Sequence, residues 1–175
     1  MIVYILDCVF YSSRRHITTL KYKFFLNFII MKPSEKQIKE IADELDFGMR
    51  CFYNLKTGEI MTIPDYDSMF YADKESWEEE SKELDANWDD YFEFDDFDSH
   101  ESFQIMEDFT ESIDDARLQD RLVAALNKPK PFKKFKQQID YSGAYREQWF
   151  DYKKECYIRR IKEQIADNEE YFLQD

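Results

Sequence analysis

The stretch RCFYNLKTGEIMTIP, residues 50–64, decides the fold, because it has the pattern of two short strands around a glycine-containing turn. Side chains alternate over residues 50–55, and those on one face are Cys51, Tyr53 and Leu55. Residues 56–58 predict a three-residue hairpin loop in which Gly58 takes the left-handed conformation. Residues 60–63 form the returning strand. An isolated hairpin is only marginally stable in water, so we expect helices to cover it.

The segments next to the hairpin predict helices and a third strand. Before the hairpin, Ser34 and Gln37 form a capping-box pattern, followed by apolar residues at helical spacing, namely Ile38, Ile41, Ala42 and Leu45. After it, residues 73–88 predict an acidic helix whose apolar stripe is narrow and consists of Trp77, Leu84 and Trp88. The short aromatic segment 91–94 favours a third strand.

The C-terminal half of the chain predicts four further helices. One is capped by Ser99, one begins at Asp114, a short one follows the Lys128–Pro131 link and a long one covers about residues 143–166. We expect their aromatic side chains to build one compact interior that includes Phe103, Phe109, Phe132, Phe135 and Trp149.

Together these elements predict the fold class α+β. A small antiparallel sheet, made of the hairpin 50–63 and the strand 91–94, is packed by about five to six helices. The predicted single domain covers residues 31–175, a length that is sufficient to bury a substantial core.

Residues 1–30 differ from the rest of the chain, since they contain seven aromatic residues and only one acidic residue. Their basic residues follow the first apolar stretch, unlike those of a secretory signal. Their apolar run at residues 24–31 is much shorter than the roughly 20 residues that span a membrane. We interpret this segment as an atypical extension with a mis-assigned start and Met31 as the natural initiator. The alternative is a genuine strand or amphipathic anchor.

Charge is strongly segregated along the chain. There are 38 acidic and 24 basic residues, and the formal net charge is −14. Residues 65–121 carry 22 acidic and 4 basic side chains, whereas residues 122–162 carry 4 acidic and 11 basic ones. The two stretches either compensate each other or face water, or they are separate ligand surfaces. Because the whole chain is acidic, we expect no non-specific binding to nucleic acid or anionic membranes.

The cysteines and histidines give no catalytic centre. Cys8, Cys51 and Cys156 lie far apart, which favours a reducing, cytoplasmic location with Cys51 and Cys156 as small buried hydrophobic residues. A cysteine nucleophile needs a base. His16 lies in the atypical extension, and His100 lies beside a helix start, where the helix dipole disfavours protonation. We therefore assign no catalytic, cofactor-binding or metal-binding residue.

Acidic residues are most crowded in residues 89–101, which contain Asp89, Asp90, Glu93, Asp95, Asp96, Asp98, His100 and Glu101. Such oxygen ligands suit Mg²⁺ or Ca²⁺, but the stretch has no glycine for an EF-hand loop. Carboxylates that alternate along a strand also point to opposite faces and do not converge on one ion. We expect a solvated acidic face, with a metal site as the alternative.

The strongest candidate binding residues are basic and follow the acidic stretch. Five lysines are interleaved with Phe132 and Phe135: Lys128, Lys130, Lys133, Lys134 and Lys136. They form either a solvated rim on a core-anchored helix or an edge that binds phosphate or nucleic acid. In the second case the binding candidates are Lys133, Lys134, Lys136 and Arg146, supported by Arg159, Arg160 and Lys162. We expect both phenylalanines in the core, where neither stacks on a base.

Five motifs are spread over the chain from about residue 34 to residue 165, namely Thr57-Gly58-Glu59, Phe103-x-x-Met106-x-x-Phe109, Leu118…Leu122…Leu126, Pro131-Phe132-Lys133-Lys134-Phe135-Lys136 and Trp149-Phe150-x-Tyr152-Lys153. In these motifs the chain resembles a bacterial family catalogued as Uncharacterised Protein Family 0158. The resemblance implies that Met31 is near the usual start of the family and that residues 1–30 lie outside it. It brings no activity, substrate or catalytic residue.

These observations favour a small, acidic, cytoplasmic protein that is not an enzyme. The chain has no Walker loop, GxGxxG or HExxH motif, and its three glycines cannot build a glycine-rich phosphate cradle. Our leading hypothesis is a protein-binding or regulatory module that meets a basic protein through residues 75–101. The alternatives are phosphate or nucleic-acid recognition by the edge Lys128–Lys136 and a divalent-metal-dependent hydrolase that uses Asp89–Glu101.

Overall fold

The structure is a computed structural model that describes residues 32–65 and 75–172. Its fold is α+β, as predicted. In chain order the elements are α1 (Glu35–Asp46), β1 (Met49–Asn54), β2 (Ile60–Pro64), α2 (Glu78–Ala86), β3 (Tyr91–Phe94), α3 (Ser99–Glu111), α4 (Ala116–Leu126), α5 (Pro131–Ile139), α6 (Ala144–Asp167) and α7 (Glu169–Phe172). Short 3-10 turns flank α2 at Glu75–Trp77 and Trp88–Asp90, so the predicted helix 73–88 is shorter and interrupted.

The sheet has strand order β2-β1-β3, and both outer strands run antiparallel to β1. In the register, Cys51 of β1 lies opposite Thr62 of β2 and Phe94 of β3. The predicted third strand is confirmed, and it pairs with the first strand of the hairpin. β1 is therefore the central strand, and β2 and β3 are the two edges.

The hairpin loop begins one residue earlier than predicted. The Asn54 N–H donates to the Glu59 carbonyl (2.9 Å), and the Asn54 carbonyl accepts from the Gly58 N–H (2.8 Å). Gly58 and Glu59 thus oppose a single residue, which is the geometry of a β-bulge. Leu55 joins the loop because its N–H bonds to the Asp90 carbonyl (2.8 Å) instead of to β2. Gly58 has the predicted left-handed conformation, with φ 74°.

Replacing Gly58 with alanine should lower the free energy of unfolding by about 1–2 kcal/mol, because a left-handed backbone brings Cβ close to the following carbonyl. The new Cβ would also lie 3.2 Å from the hydroxyl oxygen of Tyr53. Urea denaturation measures the change. The control is Gly58→Asn, which should lose less because asparagine tolerates this conformation. A Gly58→Ala variant as stable as the unsubstituted chain would contradict the turn.

Aspartates cap two helices one residue away from the predicted positions. The predicted capping box at Ser34 is confirmed. However, α3 is capped by Asp98 and not by Ser99, and α4 is capped by Asp115, one residue after Asp114. One oxygen of each carboxylate accepts hydrogen bonds from two backbone N–H groups in the first turn of its helix.

Helices cover both faces of the sheet, although the alternation of residues 50–55 predicted that only one face would be covered. On the first face lies the sheet cluster, whose buried residues include Ile41, Leu45, Cys51, Tyr53, Phe94, Ile161 and Phe172. On the second face Phe52 is fully buried against Ile63 of β2 and Leu84 of α2. Residues 51–53 are apolar without alternation, which is typical of a strand covered on both sides.

The expectation of one compact interior is wrong, because a further helical cluster lies away from the sheet. It is built by α3, α4, α5 and the first part of α6, and its large residues are Phe109, Leu122, Phe135 and Trp149. Phe103 is only partly buried, and Phe132 is exposed by 44%. α6 contributes Trp149 to the helical cluster and Ile161 to the sheet cluster. This 24-residue helix therefore connects the two packed regions.

Several predictions concern residues outside the described ranges. These are the interpretation of residues 1–30, the role of Met31, and the positions of Cys8 and His16. The proposed division into an extension and one domain stays a prediction. Within residues 32–65 and 75–172, no helix is both long and apolar enough to span a bilayer.

Candidate functional site

The acidic surface, which we define as the exposed side chains of residues 75–101, is built by α2, the following 3-10 turn, β3 and the start of α3. α2 packs on the sheet through Leu84, its single buried residue. Most of its other residues are charged or polar and face water, while Glu80 and Ser81 are half-buried. The local sequence thus directs a row of carboxylates outward.

Some carboxylates of the acidic surface have a cation within reach. Lys56 on the hairpin loop contacts Asp90 (2.6 Å), and Arg50 on β1 donates from Nε to Glu93 on β3 (2.7 Å). Arg160 on α6 contacts Glu101 (3.3 Å), and Glu78 pairs with Lys82 on its own helix. Three of these pairs link β3 and the start of α3 to the hairpin and to α6.

Other carboxylates of the acidic surface have no ion-pair partner among the described residues, namely Glu79, Glu80, Asp85, Asp89 and Asp95. Four of the five are exposed and Glu80 is half-buried. Like charges so close together repel one another in the free protein. A cation bound there would relieve that repulsion.

Trp88 directly precedes Asp89, one of these carboxylates, and is half exposed (50%). The sequence predicted that it would lie in the inward stripe of a helix. Instead, α2 ends at Ala86, and Trp88 begins the 3-10 turn before β3. One edge of its indole packs on the buried Phe52, with ring centroids 5.9 Å apart. Its indole is therefore held by the core but remains partly open to solvent.

The first turn of α3 explains the role of Asp98 and the position of His100. Backbone hydrogen bonds from Glu101 and His100 hold the pKa of Asp98 below its usual range, because they stabilise the carboxylate. Asp98 is thus committed to capping the helix. His100 is exposed in the same turn. In the described ranges, no group of three or more Asp, Glu, His or Cys side chains is arranged to hold a metal ion.

The basic edge, defined as Lys128, Lys130, Lys133, Lys134 and Lys136, lies at the start of α5 and in the link before it. Helical spacing places Lys133 and Lys136 on the exposed side of α5, next to Phe132. The prediction that Phe132 would be buried is wrong, whereas Phe135 is buried as predicted. Phe132 faces outward because Phe135 and Ile139 already fill the side of this short helix that meets the core.

The sequence analysis expected four further cations to extend the basic edge, but their contacts lie elsewhere in the fold. Arg146 lies 3.6 Å from Asp140 and stacks over the ring of Phe150. Arg160 contacts Glu101 of the acidic surface. Lys162 contacts Glu35 on α1, and Arg159 donates to the Cys156 sulfur (3.4 Å). α6 therefore uses most of these cations within the fold.

The negative charge of the acidic surface is compensated only slightly by the basic residues of the stretch 122–162. Among the described residues, the pair Glu101–Arg160 is the one ion pair between the acidic surface and residues 122–162. The lysines of α6 pair instead with α1: Lys153 with Asp46, Lys154 with Asp43 and Lys162 with Glu35. These pairs hold α1 against α6 and leave the acidic surface largely uncompensated.

A shallow groove of about 350 Å³ lies between α3 and α6. It is lined by Phe97, His100, Glu101, Gln104, Ile105, Cys156, Arg159, Arg160 and Glu163. Its two arginines and two glutamates give it no single charge. The buried Nε of Arg160 has no hydrogen-bond partner among the described residues, although the rest of its guanidinium contacts Glu101.

Cys51 and Cys156 should not react with iodoacetamide in the native protein. Cys51 is fully buried, and this burial raises the pKa of its thiol to about 12. Burial also raises the pKa of Cys156. The thiolate is the reactive form, so neither residue is a ready nucleophile at neutral pH. Mass spectrometry of labelled peptides before and after addition of urea tests this. Fast labelling of Cys51 without urea would contradict the burial.

These features define a small α+β protein with an acidic surface around an exposed tryptophan. Residues 26–175 match the family described as Uncharacterised protein family (UPF0158), and the chain belongs to this family. The match is wider than the resemblance over residues 34–165. It includes residues 26–30, so the expectation that the whole of residues 1–30 lies outside the family is wrong. No curated protein and no solved structure matches the chain.

Sequence reasoning missed two features of the acidic surface. It predicted the acidic face from composition but did not predict that Trp88 is exposed or that Arg50 binds Glu93. The signal for Trp88 was its neighbours, because Asn87, Asp89 and Asp90 are poor residues for the buried side of a helix. The contact of Arg50 with Glu93 depends on the pairing of β1 with β3, which no local pattern encodes.

Proposed function

We propose that the protein is a non-catalytic, cytoplasmic binding module whose acidic surface recognises a basic segment of another protein. The observation that carries this proposal is the half-exposed Trp88 among carboxylates that have no cation among the described residues. Exposed tryptophans are frequent anchors of protein interfaces, and an indole face attracts lysine and arginine. The carboxylates attract the same partner from a distance.

The buried cysteines agree with this proposal. Cys51 and Cys156 are free thiols inside the fold, as in proteins of reducing compartments. The raised pKa of Cys51 removes its thiolate at neutral pH. A binding role also needs no set of catalytic side chains that meet at one substrate. It is consistent with acidic and basic residues that lie in separate parts of the chain.

Charge reversal tests the proposal. The variant Glu79→Lys/Asp85→Lys/Asp89→Lys is compared with the matched control Asp120→Lys/Glu147→Lys/Asp151→Lys, which alters three exposed acidic residues elsewhere and changes the net charge equally. Both are used as bait in extracts of the native cell at low and high salt. We expect the unsubstituted chain and the control to capture the same basic protein at low salt and to release it at high salt, because salt screens such contacts.

The acidic-surface variant should capture at least tenfold less of this protein. Equal capture by both variants would contradict the acidic surface as the binding site. Absence of any salt-sensitive partner would contradict the function itself.

The second candidate function is recognition of phosphate or nucleic acid by the basic edge, and the exposed Phe132 beside Lys133 and Lys136 favours it. An exposed ring next to cations can stack on a base. Replacing Lys133, Lys134 and Lys136 with alanine should abolish binding of single-stranded RNA and flatten its salt dependence. If the unsubstituted chain binds no RNA at low salt, this candidate is rejected.

A further inference from the structure

The outer edge of β3 is an unpaired sheet edge in the middle of the acidic surface. Among the residues that the structure describes, β3 pairs with β1 on one side only. Its residues alternate between the two sides because antiparallel strands bond through every second residue. The register pairs Phe92 with Tyr53 and Phe94 with Cys51, and the bond from the Leu55 N–H to the Asp90 carbonyl continues the same series.

Tyr91 and Glu93 therefore direct their backbone N–H and carbonyl groups away from β1. The Tyr91 N–H donates to the Trp88 carbonyl at the end of the 3-10 turn. Among the described residues, the Tyr91 carbonyl and both backbone groups of Glu93 have no hydrogen-bond partner. Both residues are partly exposed. Such an edge is a template for one more strand.

Asp95 is the next residue whose backbone groups point away from β1. These groups already have hydrogen-bond partners, as they would if another strand were paired there. At Asp95 the side chain of Gln164 on α6 makes two hydrogen bonds to the backbone. Its Oε1 accepts from the N–H (2.8 Å), and its Nε2 donates to the carbonyl (2.9 Å). This glutamine closes the edge after β3 and leaves the Tyr91 carbonyl and the backbone of Glu93 as its open part.

The side chains around the open edge specify the chemistry of an added strand. Asp89 and Asp95 lie at its two ends and have no cation among the described residues. Trp88 contacts Phe52 on one face of the sheet, and Tyr171 contacts Phe92 on the other face. Both of these aromatic side chains are about half exposed. A second copy of β3 would bring the same negative charges, so like-charge repulsion disfavours pairing between copies.

We propose that the basic partner binds as an extended segment that adds a strand to the open edge of β3. This inference rests on the proposed function and names the binding mode of the same surface. Main-chain hydrogen bonds to the Tyr91 carbonyl and to the N–H and carbonyl of Glu93 provide the affinity. Asp89 and Asp95 select lysine or arginine side chains of the added strand, and Trp88 and Tyr171 contact its two faces.

Amide hydrogen exchange measured by NMR tests the proposal with the full chain and a synthetic peptide of four Lys-Val repeats. At saturating peptide and low salt, the amide of Glu93 should exchange at least tenfold more slowly. The amides of Tyr91, Phe92 and Phe94 should not change, because they already bond to Trp88 or to β1. Protection of Glu93 between unchanged neighbours is expected only if the peptide pairs with the edge.

A pair of variants separates backbone pairing from charge. Glu93→Pro removes one outward N–H and keeps the bonds to β1, whereas Glu93→Gln removes the same charge and keeps the N–H. We expect Glu93→Pro to bind the peptide about tenfold more weakly than Glu93→Gln does. The peptide-free exchange of Phe92 and Phe94 reports whether each variant keeps its sheet.

Three outcomes would overturn the proposal. Peptide binding without protection of Glu93, or with equal affinity for the two variants, would reject strand addition and leave the proposed function standing. Protection that appears without peptide as the protein concentration rises would assign the edge to a second copy. No peptide binding at low salt would contradict both the binding mode and the proposed function.

Discussion

Phe52→Ala is expected to lower the free energy of unfolding by about 3–5 kcal/mol, which is a large part of the total stability of a small domain. Phe52 is fully buried on the second face of the sheet, against Ile63 and Leu84. Its removal leaves a cavity beneath α2, and the edge of Trp88 loses its support. Urea denaturation followed by circular dichroism measures the loss.

The control for this variant is Phe47→Ala. Phe47 ends α1 and is largely exposed, so its replacement should change stability by no more than about 0.5 kcal/mol. If Phe52→Ala and Phe47→Ala lost equally little stability, the second face of the sheet would not be packed, and the position of α2 would be wrong.

Trp88→Ala is expected to weaken binding of the basic partner about 30-fold, the equivalent of about 2 kcal/mol. A half-exposed indole at the centre of an interface loses its water on binding, and its replacement removes that contact area. The effect on folding should be small, because the edge contact with Phe52 contributes about 0.5–1.5 kcal/mol. Titration of the captured partner gives the affinity, and urea denaturation gives the stability.

Tyr141→Ala is the matched control for Trp88→Ala. Tyr141 is an exposed aromatic residue (90%) that follows α5, outside the acidic surface. Its replacement should leave the affinity within twofold of the unsubstituted chain. A Trp88→Ala variant that binds as tightly as Tyr141→Ala does would remove Trp88 from the interface.

Local signals account for the elements that the sequence predicted correctly. The capping box at Ser34 and the left-handed Gly58 depend on residues three or four positions apart, so their patterns are visible without the fold. The third strand at Tyr91–Phe94 also followed from its own composition. Shifts of one residue at Asp98 and Asp115 arose because neighbouring polar residues compete for the same cap.

Features that depend on distant residues were not predictable in this way. Phe52 is buried because α2 folds back onto the second face of the sheet, and Trp88 is exposed because α2 ends before it. Phe132 is exposed although the nearby Phe135 is buried, because a short helix offers only one narrow side to the core. The acidic surface was predicted from composition, whereas its open edge required the strand order β2-β1-β3.

Site-specific photo-crosslinking in the native cell tests the central claim, that a basic protein binds at the acidic surface. A photo-reactive phenylalanine derivative replaces the exposed Asn87, beside Trp88, in one variant and Tyr141 in the other. We predict a crosslinked product at position 87, joined to a segment rich in lysine or arginine, and none at position 141. No product at position 87, or equal products at both positions, would contradict the claim.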